Sequence, residues 1–437
     1  MKKKITTGVL MLALSFPSFA GGLLTNTNQN VAFLRMPARG ASIAIDGVYS
    51  NPGGLGFMED GIHLSFNIQS AYQTRVNDAS FALFGAEPKK YEGKASAPII
   101  PSIQAMYKMG NWAFSGSFAI TGGGGKASFD EGLSMFEAPV RAQLLASGAT
   151  SDMYSISSAM DGKQYIYGVQ LGASYRINDY LSVFGGGRMN YVTGGYEGYL
   201  DVIAKDPYPI PNPAIQLDVE QTGWGLTPII GAHVKYGNWN LGLKYEFMAN
   251  LNVENKTNKN SHPNEGEPLY DYRHGVNTPN DIPAMLSAAI GYNILPSLRA
   301  TIEYHQFFDK DAGMANNKQK LLSGNTQEYI AAIEWDVHRL ITVSGGYQKT
   351  DYGLTDGFQS DISFSCDSYA IGLGAAVKLS PKLTMNIAYF WSNYDDYTKE
   401  SAATGTPGTG YNGTGMKGTD VYSRTNKVFG VGVDYRF

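Results

Sequence analysis

Lys427-Val428-Phe429-Gly430-Val431-Gly432-Val433-Asp434-Tyr435-Arg436-Phe437 is the stretch whose reading decides the fold. Phe429, Val431, Val433, Tyr435 and Phe437 share one parity; Gly430, Gly432, Asp434 and Arg436 share the other. A period of two puts the first set on one face of a strand and the second on the opposite face. Leu383, Met385, Ile387, Tyr389 and Trp391 repeat the pattern, with Thr384, Asn386, Ala388 and Ser392 opposed. So do Leu298, Ala300, Ile302 and Tyr304 against Arg299, Thr301, Glu303 and His305. A soluble sandwich alternates in the same way, so parity alone does not choose.

The spacing of the segments chooses. Tight turns are expected at Gly110-Asn111, Asn178-Asp179, Gly237-Asn238, Leu295-Pro296, Val337-His338 and Ser380-Pro381. Between them lie seven long polar connections, near 72–97, 121–162, 194–220, 253–280, 309–326, 350–366 and 396–422. Short and long links alternate throughout and join fourteen strands. That sorting of loops by end is the pattern of a bacterial transmembrane β-barrel, and a sandwich has no cause to produce it. Closure removes the sheet edges and satisfies every backbone group within the wall.

Composition agrees. Only 16% of the 437 residues are charged, and 52 are glycine, a bias far from the ordinary soluble average. With 43% hydrophobic residues and 29 tyrosines, the chain is not a disordered one. No later stretch reaches the ~20 apolar residues of a spanning helix.

Lys2, Lys3 and Lys4 precede an apolar run from Gly8 to Phe16, and Ser18-Phe19-Ala20 offers small residues for cleavage. This reads as a signal peptide over residues 1–20. Its removal leaves 31 basic and 38 acidic residues, a formal charge of −7. With no basic patch, nucleic acid is not an expected partner. The single Cys366 forms no internal disulfide.

Residues 21–60 do not alternate, yet carry Phe33, Leu34, Ile43, Ile45, Val48, Tyr49, Leu55 and Phe57. That is too much apolar surface to leave in water, so the segment is expected to fold as a plug inside a barrel spanning 61–437. A fourteen-strand barrel is wide enough to hold one. The run from Ala38-Arg39-Gly40-Ala41-Ser42 through Ser50-Asn51-Pro52-Gly53-Gly54-Leu55, set between a signal peptide and fourteen strands, resembles the FadL family of outer-membrane transporters for long-chain fatty acids and other hydrophobic compounds. Gly53 stands where that family usually has Ala after Asn51-Pro52.

The resemblance implies an all-β outer-membrane channel that works without energy input. A ligand is caught at the outer loops, enters a pocket beside the plug, and leaves sideways through a gap at the third strand. In this sequence the third strand is expected over Trp112–Ile120, with Gly122, Gly123, Gly124 and Gly125 as the candidate break, because glycine weakens pairing. Leu133, Phe136, Val140 and Leu144 recur every three or four residues, an apolar helical stripe and the candidate outer capture surface. Phe33, Leu34 and Met36 are candidate ligand contacts. A buried carboxylate needs a cation, and parity plus plug position nominate Arg35, Arg39, Arg188, Lys244 and Arg299. Glu246, Glu303 and Glu334 share the lumen and could instead pair with them.

The expected partners are a fatty-acid-like ligand, outer-membrane lipid, and the assembly machinery that reads a terminal aromatic such as Phe437; a monomer is expected. The six histidines lie near no nucleophile motif and no metal-ligand spacing appears, so no enzyme, cofactor or metal is expected. A general porin and a surface shuttle for protein secretion are the competing readings.

Overall fold

The structure, a computed structural model, describes residues 22–437 apart from 207, 209 and 211. The signal-peptide reading lies outside the described residues. Fourteen strands build one antiparallel wall: β1 (Gly61–Phe81), β2 (Lys89–Met109), β3 (Trp112–Phe129), β4 (Tyr154–Arg176), β5 (Leu181–Ala204), β6 (Ile215–Tyr236), β7 (Trp239–Glu246), β8 (Met285–Leu295), β9 (Leu298–Phe307), β10 (Gln327–His338), β11 (Ile341–Asp351), β12 (Ser368–Ser380), β13 (Leu383–Tyr394) and β14 (Gly418–Arg436). Each pairs with its sequence neighbour, and β14 closes the ring on β1 from His63↔Arg436 to Phe81↔Gly418. Three strands have a further run across a break: β7 in Asn252–Asn260, β8 in Asn277–Pro279 ahead of it, and β13 in Tyr397–Ser401.

Parity sorts the side chains as expected. On β1, Ile62, Phe66, Ile68 and Tyr72 face outward, while Ser65, Asn67, Gln69 and Gln73 are buried in the lumen. Exposed aromatics gather at two levels of the outer surface. Trp112 with Tyr175 (4.6 Å between centroids), Trp239 with Tyr292 (4.5 Å) and Tyr435 with Phe437 (4.7 Å) stand at the turn end. Tyr72, Tyr191, Trp224 and Tyr347 stand nearer the loops. An apolar band between two aromatic girdles is the lipid-facing surface of a membrane barrel.

The loop end corrects the sequence reading in two ways. The expected connections are too long, because strands continue past the apolar band. The β1–β2 ladder runs on to Ala79↔Lys89, inside the expected 72–97 loop. There the outward residues are Thr74, Val76, Asp78 and Ser80. Alternation fades once both faces meet water, but a backbone ladder needs no apolar face. The third strand likewise does not stop at Ile120: β3 runs through the glycines to Phe129. Three turns also lie one or two residues later than expected, as at Arg339-Leu340.

The N-terminal segment lies inside the wall. Asn30 caps a single helical turn, α1 (Val31–Arg35), by accepting from Ala32 N at 2.5 Å. Val31, Phe33 and Leu34 pack on Ala71, Phe390 and Val428. Gly430, in the stretch that decides the fold, makes this possible: a methyl there would stand 2.7 Å from Leu34 Cδ1 and 2.9 Å from Val31 Cγ2. Two 3-10 turns follow, Ile45–Val48 and Pro52–Phe57.

Candidate functional site

Buried charges tie the N-terminal segment to the wall. Arg35 pairs with Glu334, and it donates to Asn386 Oδ1 (3.0 Å) and Ser344 Oγ (2.9 Å). Arg299 joins the same carboxylate at 2.9 Å and Asp336 at 2.8 Å. Arg39 holds both oxygens of Asp46 at 2.8 Å within the segment. Arg188 pairs with Glu246, whose other oxygen takes Lys244 Nζ at 2.8 Å; that ammonium also donates to Tyr49 O at 2.9 Å. Gly40 N and Ser287 Oγ donate to Glu303, which also meets His305 at 2.6 Å, and His305 reaches Glu328 at 2.8 Å. All five nominated cations thus sit in carboxylate pairs. Removing one partner from such a pair strands a charge in low dielectric, which is costly.

Asn51 fixes the next stretch. Its Nδ2 donates to Ser42 O at 2.8 Å and lies 2.9 Å from His233 Nδ1. Ser174 Oγ donates to Pro52 O at 2.6 Å. Gly53 rests on the backbone of β6, where a methyl would lie 2.7 Å from Ala232 C and 2.8 Å from His233 N. The wall itself therefore excludes alanine at this position. Phe33 stacks obliquely on Phe390 (5.9 Å), and Met36 packs with Ala38, Ile330 and Ala332.

The wall is interrupted between β2 and β3. Pairing runs from Gly93↔Phe129 to Ser96↔Lys126 and resumes only at Ile103↔Phe118. Residues 97–102 and 119–125 face each other with no ladder. Two features make the break. Pro98 and Pro101 lack the donor a ladder requires. On β3, Gly123 and Gly125 have φ of +87° and +76°, a backbone open mainly to glycine. The pairing of β3 with β4 also shifts between Ile120 and Gly125. The N-terminal segment covers the break from inside: Asn26 N donates to Thr121 O (2.8 Å), Asn26 Nδ2 to Gly123 O (3.3 Å) and Ser102 Oγ to Gln29 O (2.6 Å). About 10 Å³ remains among Asn26, Gln29, Ala97, Ile100 and Pro101. The sequence reading found the glycines and missed the prolines across from them, although Pro within a strand pattern marks an edge.

At the loop end, α2 (Ser134–Ala146) begins where Asp361 accepts from Met135 N (2.7 Å) and Ser134 Oγ (2.6 Å). A carboxylate at those first donors satisfies the helix start. Val140 and Leu144 pack on Tyr154, Leu200 and Val202, while Leu133 and half-buried Phe136 border a cleft with Met160, Leu200, Ile215 and Leu217. The four stripe residues thus face one surface.

Parity reasoning also passed over Arg75 and Arg424. They face each other across the β1–β14 ladder, 1% and 4% exposed, with Arg424 4.7 Å above the Tyr394 ring. Both keep lumen parity in the strands that begin and end the wall, which is the signal that could have found them.

No protein-family model and no curated protein matches the chain. Solved structures do. A FadL homologue from Pseudomonas aeruginosa superposes with a TM-score of 0.71 at 15% identity, covering 95% of this chain and all of that one. The toluene transporter TodX of Pseudomonas putida gives 0.55 at 12%, over 97% and 100%. The toluene transporter TbuX of Ralstonia pickettii gives 0.54 at 13%, over 92% and 98%. The chain shares their fold over 92–97% of its length.

Proposed function

We propose that this chain, built on the fold of the FadL homologue and the toluene transporters, is a member of that family and a passive outer-membrane channel for small hydrophobic compounds. The observation that carries the reading is the unpaired stretch between β2 and β3. It leaves the wall without backbone pairing inside the apolar band, where Ile99 is 69% exposed. A polar solute gains nothing from an exit into hydrocarbon; an apolar one does, at about 25 cal/mol per Å².

The ligand settles first in the cleft beside Leu133 and Phe136, then passes into the lumen beside the N-terminal segment, which acts as a plug. Withdrawal of residues 26–29 from Thr121, Gly123 and Ser102 uncovers the break, and the ligand leaves sideways. No step consumes energy; flux follows the gradient. Arg35, Arg39, Arg188, Lys244 and Arg299 serve chiefly to hold plug and wall together. This passive role requires no catalysis, cofactor or metal.

Uptake of radiolabelled oleate and toluene by cells lacking the protein, with and without the gene restored, tests the reading. Restoration is expected to raise uptake of at least one of them severalfold. Equal uptake in both strains sinks it. A plugged lumen also predicts small conductance in planar bilayers, whereas the porin reading requires large steady steps.

A further inference from the structure

Charge is unevenly spread on the outward face of the wall. Followed from the apolar band toward the loops, the outward positions first meet charge at Lys94 on β2, Lys126 on β3, Lys163 on β4 and Lys427 on β14. On β5, β6 and the further run of β7 the first such charges are carboxylates, Glu197, Glu220 and Glu254. The lysines are also aligned. Cross-strand pairing sets Lys427, Tyr72, Ser96, Lys126 and Lys163 in one row over β14, β1, β2, β3 and β4. Lys94 stands two residues beyond Ser96 on the same face. Ser96↔Lys126 is the last pair before the β2–β3 break, so Lys94 and Lys126 border its loop-side edge.

All four side chains are open to an outside partner. Those of Lys94 and Lys126 are 75% and 55% exposed, and Lys163 and Lys427 are exposed as well. Lys126 meets Asp161 at 2.8 Å and Lys94 meets Glu92 at 3.6 Å, exposed pairs of the kind that hold weakly. Both carboxylates lie on the loop side of the lysines, away from the membrane. Lys126 and Lys163 are direct cross-strand partners, a placement in which like charges repel and an anion lying over both relieves them. Tyr72 and the half-buried Tyr165 and Tyr167 stand just below, where interfacial aromatics mark the edge of the hydrocarbon. The lysines are therefore level with the lipid headgroups, and an ammonium at that level is drawn to anionic lipid. We propose that Lys94, Lys126, Lys163 and Lys427 dock the phosphate groups of an outer-leaflet glycolipid. Its acyl chains then lie over the β2–β3 break, against Ile99.

The proposal concerns the lipid around the channel and holds whatever compound passes through it. Equilibrium binding of diphosphoryl lipid A, and of the same lipid with its phosphates removed, to the purified full chain in neutral detergent micelles measures it. The phosphorylated lipid is expected to bind about tenfold more tightly than the dephosphorylated one, with the difference shrinking as salt is raised. Replacing all four lysines together, as Lys94→Gln, Lys126→Gln, Lys163→Gln and Lys427→Gln, is expected to abolish that advantage. These side chains are exposed, so the barrel is expected to fold as before. Lys256→Gln with Lys259→Gln, on the side where carboxylates come first, is expected to leave it unchanged. Equal binding of the two lipids by the unaltered protein overturns the proposal without recourse to any variant. So does an advantage that survives the fourfold substitution, or one that the Lys256 and Lys259 pair removes equally. Inorganic phosphate that binds the row as tightly as the lipid also overturns it, because the acyl chains then contribute nothing.

Discussion

Two long breaks interrupt the wall among the described residues, and they have nearly the same dimensions. Between β2 and β3, residues 97–102 face 119–125 without a ladder. Between β6 and β7, Phe247 N still donates to Pro228 O at 2.9 Å, and residues 223–227 then face 248–253 until pairing resumes at Thr222↔Glu254. Each break carries proline on one strand, Pro98 and Pro101 or Pro228, and glycine nearby. What lies inside them differs. The first is covered by residues 26–29, a separate segment held there by hydrogen bonds. The second is covered by its own strand. Residues 249–252 fold inward onto Gly223 and Gly225, and Ala249 and Leu251 bond to Ile282 and Asn280 instead of β6. Outside, this leaves a recess of about 450 Å³ beside Trp224. A cover joined on both sides to the wall cannot withdraw, whereas a tethered segment can. Equal breaks thus make one candidate gate and one permanent hollow.

The largest effect expected from testing this contrast is on the anchor of the movable cover. Glu334→Leu strands Arg35, while Arg299 keeps Asp336, and is expected to cost about 3–5 kcal/mol, read as a lower unfolding temperature of the purified barrel. It also loosens the segment that closes the first break. Gly223→Ala comes next. Its methyl would overlap Asn252 O, so the substitution is expected to destabilise the barrel by about 1–3 kcal/mol, the usual cost of overpacking, with uptake per folded molecule unchanged. Gly123→Ala with Gly125→Ala should do the reverse. Forcing non-glycine residues at positive φ reshapes the break, and uptake is expected to fall about tenfold in barrels that still fold. Uptake unchanged by the pair would erase the distinction between the breaks. Phe136→Ala is expected to weaken capture a few-fold, at low ligand concentration only.

The smallest effect concerns the loop between β9 and β10. Burial pushes the Asp309 carboxyl up to about 6, against a hydrogen bond from Thr326 N at 3.0 Å that favours its charged form. A carboxyl whose pKa is raised on folding binds its proton more tightly in the fold, so stability declines as pH rises from about 4 to 6. Hydrogen exchange in residues 308–326 should therefore be slower at pH 5 than at pH 7 after correction for intrinsic rates. Asp309→Asn should remove the difference.

The fourteen strands were legible because lipid enforces a strict rule: a residue in the band is apolar outward whatever its neighbours. Where lipid ends, so did legibility, which is why β1 and β2 run further than their alternation. The Leu133–Leu144 stripe was readable for a similar reason, one face against an apolar surface. The lumen was not. Inward residues answer to contacts made across the barrel, such as Arg35 with Glu334, 299 positions apart, and no local pattern encodes those. Arg188, Lys244 and Arg299 were found by parity, but parity cannot tell a ligand's cation from a structural one. The glycine run announced irregular backbone. The Asn26–Gln29 cover carries no such pattern, because its bonds to β2 and β3 run mostly through its backbone, with Asn26 Nδ2 the one side-chain donor to the break.

The proposed sideways exit requires residues 26–29 to leave the β2–β3 break. A disulfide between Gln29→Cys and Ser102→Cys, placed where Ser102 Oγ meets Gln29 O at 2.6 Å, would pin them. Cys366 is buried and is not expected to compete. Uptake of radiolabelled toluene or oleate by cells carrying this variant should fall to the level of cells without the protein under oxidising conditions, and return on reduction. Full uptake with the disulfide verified as formed would contradict the account.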